Sequence, residues 1–272
     1  MMSEILNDFS ASVLVHAIEA NLFDYFKLFR GWPQGEVHSD PDMLWTISDV
    51  PFPLFNNVLC AQLVPENVNF AIETAMLRCK SRNVAMLWWT GPATRPADLG
   101  TYLEGYGFSR EDDETGMAAD LMKLNEDIPS PTGLMIEPVS DMDTLKEWIH
   151  VFTLGFGIPK IFGQAFFDLF ASLGFGSELA IQHYLGRLNG EPVATSTLLL
   201  SAGVAGIYNV ATLPNARRQG LGAALTIVPL REARALGFLV GILQATDMGK
   251  RVYQHLGFQE YCKIGQYVWV GD

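Results

Sequence analysis

A basic, glycine-containing segment between a strand and a helix constrains this chain of 272 residues more than any other feature. The segment, residues 217–222, reads RRQGLG. The apolar run from Ala205 to Thr212 before it predicts a strand, and apolar residues at helical spacing after it predict a helix through Leu236. The chain must therefore fold so that a strand leads through a glycine turn into the first turn of a helix.

Such a turn is suited to bind a diphosphate. The first amides of a helix lack intrahelical partners and lie at the positive end of the helix dipole. Gly220 and Gly222 have no side chains that would block an anion, and Arg217 and Arg218 can add charge-assisted hydrogen bonds. Because the whole chain carries a net charge of -12, two adjacent arginines beside paired glycines differ from its ordinary solvated surface.

Residues 209–225 resemble the acyl-CoA loop of the GCN5-related N-acetyltransferases (GNAT), which reads Q/R-x-x-G-x-G/A between a strand and a helix. Arg217, Gly220 and Gly222 fill this pattern. The run YQHLGF at residues 253–258 is similar to the family's Y-x-x-x-G-F element. The resemblance therefore implies that the anion bound by this turn is the diphosphate of an acyl-CoA.

The resemblance is strong from Leu179 to the C-terminus and weaker from Leu134 to Ser177. It implies an α/β fold with a mixed sheet, and an enzyme that transfers an acetyl group from acetyl-CoA to a primary amine of a small molecule or peptide. Many relatives have a glutamate base in the strand before the loop, where this chain offers only Tyr208 and Asn209. A non-catalytic acyl-CoA-binding or scaffold protein with the same fold therefore stays open as the alternative.

The resemblance also implies roles for individual residues. The strand before the loop is expected to hydrogen-bond the pantetheine arm through residues 210–212, and a backbone amide near Val210 is expected to polarise the thioester carbonyl. Tyr253 is the candidate donor of a proton to the departing thiolate, with core packing as its alternative role. The residues predicted to bind acyl-CoA are Val210, Ala211, Thr212, Arg217, Arg218, Gln219, Gly220, Leu221, Gly222 and Ala223.

Other chemistries lack their sequence signatures. The dinucleotide-binding pattern GxGxxG needs glycine where Leu225 stands, and no GxxxxGK[S/T] loop occurs, so acyl-CoA is favoured over NAD or ATP. The absence of GxSxG removes the commonest esterase arrangement. The five histidines show no HExxH or paired spacing, and the three cysteines form no CxxC. We therefore expect neither a metal site nor a disulfide framework, and we interpret the histidines as surface or packing residues.

A polar seam divides the chain. Residues 125–133 read NEDIPSPTG, in which two prolines and a glycine interrupt two regions of regular patterning. We predict an N-terminal domain at residues 1–127, a linker at 128–133 and an acetyltransferase domain at 134–272. The second half of the first domain follows the same order of apolar segments as residues 209–258, at a nearly constant offset, which indicates a diverged internal duplication. Chance similarity between two α/β domains is the alternative.

The proposed N-terminal copy lacks the residues that carry the chemistry. Residues 63–69 replace the arginine-glycine loop, and Glu66 among them would oppose a phosphate. Leu103 stands at the position that corresponds to Tyr253. We therefore expect this copy to be a degenerate, structural GNAT-like domain that does not bind CoA as the second one does.

Local signals predict the elements of the second domain. From Leu134 onward the patterning predicts the order β-α-α-β-β-β-α-β-α-β-β. Asn189-Gly190 predicts a hairpin between the fourth and fifth of these elements. Pro229 lies inside the helix that follows the loop and is expected to bend or break it.

Composition limits the partners. A hydrophobic fraction of 49% and a charged fraction of 18% provide enough apolar material for two cores. The net charge of -12 argues against general affinity for nucleic acid or an anionic membrane. It would attract cationic substrates, and the alternative is that the acidity only keeps the protein soluble. An acid stands in the N-terminal stretch where a secretory signal needs basic residues, so we expect a cytoplasmic protein. The sequence does not predict an oligomeric state.

Overall fold

Helices and strands are mixed along the chain. The first part contains α1 (Ala11–Lys27), β1 (Gly35–Ser39), β2 (Leu44–Ser48), β3 (Asn57–Leu59), α2 (Val68–Arg82), β4 (Met86–Thr90), α3 (Leu99–Gly105), β5 (Ser109–Arg110) and β6 (Glu114–Asp120). The second part contains β7 (Leu134–Pro138), α4 (Met142–Phe156), α5 (Gly163–Ser172), β8 (Ile181–Leu188), β9 (Glu191–Ser201), β10 (Val204–Thr212), α6 (Leu221–Ala235), β11 (Val240–Ala245), α7 (Asp247–Leu256) and β12 (Gln259–Trp269).

The computed structural model describes residues 4–129, 131–176 and 179–271. Tertiary contacts divide them into two compact units. The N-terminal unit comprises residues 22–115 and 262–271, and the C-terminal unit comprises residues 4–21 and 116–261. This division does not follow the seam, because residues 116–127 belong with the C-terminal unit. The linker at residues 128–133 remains a prediction, and Ser130 within it lies outside the described residues.

The N-terminal unit is built on a sheet with the strand order β1-β2-β3-β4-β12, and β5 also pairs with β12. β3 runs parallel to β4, whereas β12 runs antiparallel to β4. Ile72 of α2, Trp88 of β4 and Leu103 of α3 are fully buried in one core. This unit contains the order strand, helix, parallel strand, helix as β3-α2-β4-α3, and the C-terminal unit contains the same order as β10-α6-β11-α7.

The C-terminal unit has the strand order β7-β8-β9-β10-β11-β6. Two neighbouring residues of β8 show which helix covers each face. The ring of His183 lies 4.8 Å from the ring of Trp148 on α4, and the hydroxyl of Tyr184 donates a 2.5 Å hydrogen bond to Glu232 on α6. Because successive side chains of a strand point to opposite faces, α4 and α6 cover opposite sides of this sheet.

Most local predictions for this unit are confirmed. β8 and β9 form the antiparallel hairpin at Asn189-Gly190, where both residues have positive φ. The predicted pair of closing strands is wrong, since residues 259–269 form a single strand. The helix continues without a break through Pro229. Among the described residues, no helix combines the length and apolar character needed to cross a membrane.

Candidate functional site

β10 pairs with β11 only near its beginning. The parallel register joins residues 205–207 to residues 241–243. β10 continues to Thr212 with β9 as its antiparallel neighbour. The predicted pantetheine-binding residues, Val210, Ala211 and Thr212, therefore lie in the part of β10 beyond the β11 register. This geometry matches the strand that the resemblance expects to accept a ligand along its edge.

A β-bulge shapes this part of β10. The register with β9 shifts between Tyr208 and Ala211, and Asn209 has a φ of 53°. Asparagine tolerates this left-handed conformation better than most residues. The hydroxyl of Thr195 on β9 donates a 2.8 Å hydrogen bond to the backbone carbonyl of Asn209. The bulge is therefore held from β9 by a side chain rather than by regular strand pairing alone.

The predicted anion turn is exposed at Arg217, Arg218 and Gln219 and half-buried at Gly220 and Gly222. A 3₁₀ turn at Pro214–Ala216 precedes it, and Arg218 and Gly220 have φ values of 61° and 82°. α6 begins at Leu221, so the amides of residues 221–223 have no partners within the helix. A Cβ at Gly222 would lie 3.9 Å from Cγ1 of Val210, an ordinary van der Waals distance. The turn thus presents helix-start amides beside the end of β10.

Arg217, a predicted acyl-CoA-binding residue, makes two hydrogen bonds to backbone carbonyls of the protein. Its Nε donates to the carbonyl of Thr212 at 3.1 Å, and its Nη2 donates to the carbonyl of Gly155 on α4 at 3.0 Å. Gly155 packs closely on β10, since a Cβ there would lie 2.7 Å from Cβ of Ala211. Arg217 therefore braces the turn against α4 and β10, while the exposed Arg218 and Gln219 flank the helix start.

Gly220 is required by both its conformation and its surroundings. Its φ of 82° is unfavourable for residues that carry a Cβ. A Cβ at this position would lie 2.6 Å from the carbonyl oxygen of Pro129. The residue before α6 must consequently be glycine for the turn to keep its shape.

Tyr253 lies on α7, partly buried. Its ring is 6.0 Å from the ring of Phe258 in a T-shaped arrangement and lies over Gly249, where a Cβ would be 2.9 Å from its Cε2. Tyr253 packs against the same hydrophobic core as Val210 and Leu213. The fold therefore brings the predicted proton donor and the end of β10 to one core.

Neither candidate base on β10 is a carboxylate. The hydroxyl of Tyr208 donates a 2.7 Å hydrogen bond to Oδ1 of Asn21 on α1. Asn21 is itself fully buried, and its Nδ2 donates to the carbonyl of Ser201 at 2.9 Å. Tyr208 is thus part of a structural network. Among the described residues, no group of three or more His, Cys, Asp or Glu side chains could hold a metal ion.

Sequence reasoning missed a buried chain of polar side chains that leads to the bulge. Nδ1 of His183 lies 2.8 Å from Oγ1 of Thr197, and Nδ2 of Asn209 donates to that same oxygen at 3.0 Å. We call His183, Thr195, Thr197 and Asn209 the polar ladder. Burial lowers the pKa of His183 to about 3, so its ring is neutral. The alternation of the strands places these residues on one face, but no sequence motif identifies them.

Comparisons with known proteins find similar sequences and similar folds. Residues 145–258 match the sequence profile of the Acetyltransferase (GNAT) family. The solved structure of a GCN5-related N-acetyltransferase from Kribbella flavida matches with a TM-score of 0.72 at 18% identity, over 94% of this chain and 96% of that one. A GCN5-related N-acetyltransferase from Sphaerobacter thermophilus matches with a TM-score of 0.61 at 13% identity, over 98% and 94% of the two chains.

A third match bears on the two-unit architecture. The structure described as a tandem GNAT protein from the clavulanic acid biosynthesis pathway matches with a TM-score of 0.60 at 12% identity, over 100% of this chain and 98% of that one. No curated protein sequence matches the chain. The chain thus has the mixed α/β fold of tandem GNAT proteins, and its residues 145–258 match the Acetyltransferase (GNAT) family.

Proposed function

We propose that this protein transfers an acetyl group from acetyl-CoA to a primary amine of a small molecule or peptide. The observation that carries the proposal is the glycine turn at the start of α6, next to the stretch of β10 that extends beyond the β11 register. The family of residues 145–258 supports the class of reaction, because both features lie within that segment.

The binding of acetyl-CoA follows from the turn and the strand. The amides of residues 221–223 would donate hydrogen bonds to the diphosphate, and the exposed Arg218 and Gln219 lie beside them. The pantetheine arm would pair with residues 210–212 as an added strand does. Arg217 acts indirectly, because its bonds to the carbonyls of Thr212 and Gly155 hold the turn in place.

The reaction exchanges a C–S bond for a C–N bond. The lone pair of a neutral amine attacks the thioester carbon, the bond to sulfur breaks, and the products are the N-acetylated amine and free CoA. The Val210 amide would stabilise the negative charge that grows on the carbonyl oxygen. Tyr253 would give its proton to the sulfur, which balances the proton that the amine nitrogen loses. That amine proton passes to water, since β10 carries no carboxylate, and water returns a proton to the tyrosinate, so that Tyr253 is neutral again at the end of the cycle.

A thiol-release assay tests the proposal. The protein is mixed with acetyl-CoA and a panel of small amines and peptides, and free CoA is measured. Tyr253→Phe should lower kcat about 100-fold or more and leave acetyl-CoA affinity unchanged. Tyr261→Phe is the matched control, because Tyr261 lies on β12 outside the site. Equal turnover of Tyr253→Phe and the wild type would remove Tyr253 from the mechanism.

The lack of a carboxylate on β10 favours one other candidate, a protein that binds acyl-CoA without turning it over. Calorimetry separates the two functions, because both require CoA to bind at the turn and only the first yields free thiol. Binding without turnover on any acceptor would establish the second function. If CoA does not bind at the turn, both functions are excluded.

A further inference from the structure

The polar ladder ends at the peptide group that carries the proposed oxyanion donor. In a trans peptide the carbonyl and the following N–H point in opposite directions. The carbonyl of Asn209 points to the hydroxyl of Thr195 on β9, 2.8 Å away. The N–H of Val210, which belongs to the same peptide group, therefore points away from β9. Thr195 thus sets the direction of that amide.

The remaining members of the ladder hold the side chain of Asn209. Its Nδ2 can only donate, so Oγ1 of Thr197 accepts this hydrogen bond. The proton of Thr197 is then free to be donated to Nδ1 of His183. This assignment satisfies both polar atoms and places the proton of the neutral imidazole on Nε2. The bulge is therefore fixed at its backbone by one threonine and at its side chain by the other.

Packing alone does not account for this arrangement. Thr195 and Thr197 are fully buried, and His183 is 4% exposed. Nε2 of His183 has no hydrogen-bond partner within the part of the chain that the structure describes, and it lies among the rings of Trp148 and Phe170. An apolar side chain would fill this space without leaving a buried nitrogen unsatisfied. The hydroxyls of Thr195 and Thr197 instead fix the orientation of Asn209 through hydrogen bonds to its carbonyl and its side chain.

We propose that His183, Thr195 and Thr197 are positioning residues, which hold the Asn209 bulge so that the Val210 amide faces the reacting carbonyl. The inference rests on the proposed function for its catalytic consequence. Its structural part does not depend on that function. This part states that side chains of β8 and β9 hold the orientation of the Val210 peptide group. None of the three side chains touches the substrates.

Matched pairs of variants test the ladder. Thr195→Val and Thr197→Val keep the shape of the side chain and remove the hydroxyl, whereas Thr195→Ser and Thr197→Ser keep the hydroxyl. Each valine variant should lower kcat by about 10- to 100-fold, because a displaced amide stabilises the transition state poorly. KM for acetyl-CoA should change less than about threefold, since the turn of α6 holds the diphosphate. Each serine variant should restore kcat to within about threefold of the wild type.

Two controls separate positioning from loss of structure. Thr153→Val removes another buried hydroxyl of the same unit, which donates to the carbonyl of Ile149 on α4, and should leave kcat unchanged. His183→Asn keeps a polar atom near the position of Nδ1, whereas His183→Phe fills the space without one. Only the phenylalanine variant should reproduce the kcat loss of Thr197→Val.

Amide hydrogen exchange provides a readout that does not depend on turnover. Exchange at residues 209–212 should become at least about tenfold faster in both valine variants and remain at the wild-type rate in the serine variants. Unchanged exchange in the valine variants overturns the inference, whether or not the protein is an enzyme. Faster exchange with undiminished kcat also overturns it. If the wild type acetylates no amine, the proposed function fails and exchange alone decides whether the ladder holds the bulge.

Discussion

Lowering the pH from 7 to 5 is expected to destabilise the C-terminal unit by about 2 kcal/mol through His183 alone. Burial lowers the pKa of His183 to about 3 in the folded protein. A histidine in an unfolded chain has a pKa of about 6.5. Between these two values the unfolded chain binds a proton that the folded protein does not. The stabilisation from this group is therefore complete above the unfolded pKa and is lost as the pH falls toward the folded pKa.

The magnitude follows from the two pKa values. Within this window each pH unit changes the free energy of unfolding by about 1.4 kcal/mol. Because the unfolded histidine is already partly protonated near its own pKa, the loss between pH 7 and pH 5 comes to about 2 kcal/mol. A domain with a total stability of about 5–15 kcal/mol loses a substantial part of it by this route.

Urea unfolding of the wild type and His183→Asn at pH 7, 6 and 5 measures this loss. Asparagine keeps a polar atom near Thr197 and does not ionise, so carboxylate titrations elsewhere cancel in the difference. His183→Asn should be less stable than the wild type at pH 7, because the smaller side chain leaves a cavity. That difference should shrink by about 2 kcal/mol at pH 5. A difference that stays constant across this range would show that His183 is accessible to protons, and the reasoning would be wrong.

Three other residues give predictions that unfolding and binding measurements check. Burial raises the pKa of Glu114 in the N-terminal unit to about 7, so the stability that its neutral carboxyl contributes is lost as the pH rises toward that value. In urea titrations the free energy of unfolding of the wild type should fall by up to about 2 kcal/mol relative to that of Glu114→Gln between pH 5 and 7. In calorimetry, Gly222→Asp should bind acetyl-CoA about 10- to 100-fold more weakly than Gly222→Asn, because the carboxylate repels the diphosphate. Its thermal stability should not fall, because a negative charge at the start of a helix interacts favourably with the helix dipole. Gly220→Ala should cost about 1–3 kcal/mol in unfolding experiments, since alanine is strained at this φ and contacts Pro129; an unchanged midpoint would contradict the packing described for the turn.

The turn to which we assign acetyl-CoA could be located in the sequence because its structural signal is local. A helix-start anion turn needs glycines and a preceding strand within a few residues, and residues 205–236 contain all of them. The hairpin at Asn189-Gly190 was predictable for the same reason, since both residues favour positive φ. Local signals of this kind do not depend on which distant residues become neighbours.

The polar ladder was not predictable because it depends on strand register. A regular hairpin that pairs Leu188 with Glu191 would place His183 opposite Ser196. The register shifts by one residue between Gly186 and Arg187, so His183 faces Thr197 instead. A shift of one residue moves every side chain of a strand to the other face, and nothing in the sequence marks where it occurs. The brace formed by Arg217 is equally nonlocal, since Gly155 lies on a different element.

The N-terminal unit contains the frame of such a site without its chemistry. β3 runs parallel to β4, and a 3₁₀ turn at Pro65–Asn67 precedes α2 much as another precedes α6. This turn carries Glu66 instead of arginines, and Leu103, which the proposed duplication aligns with Tyr253, is fully buried. A carboxylate opposes an anion that the helix amides would attract, and a leucine has no proton to give. One fold can therefore serve as a site or as a scaffold, depending on a few residues at the start of one helix.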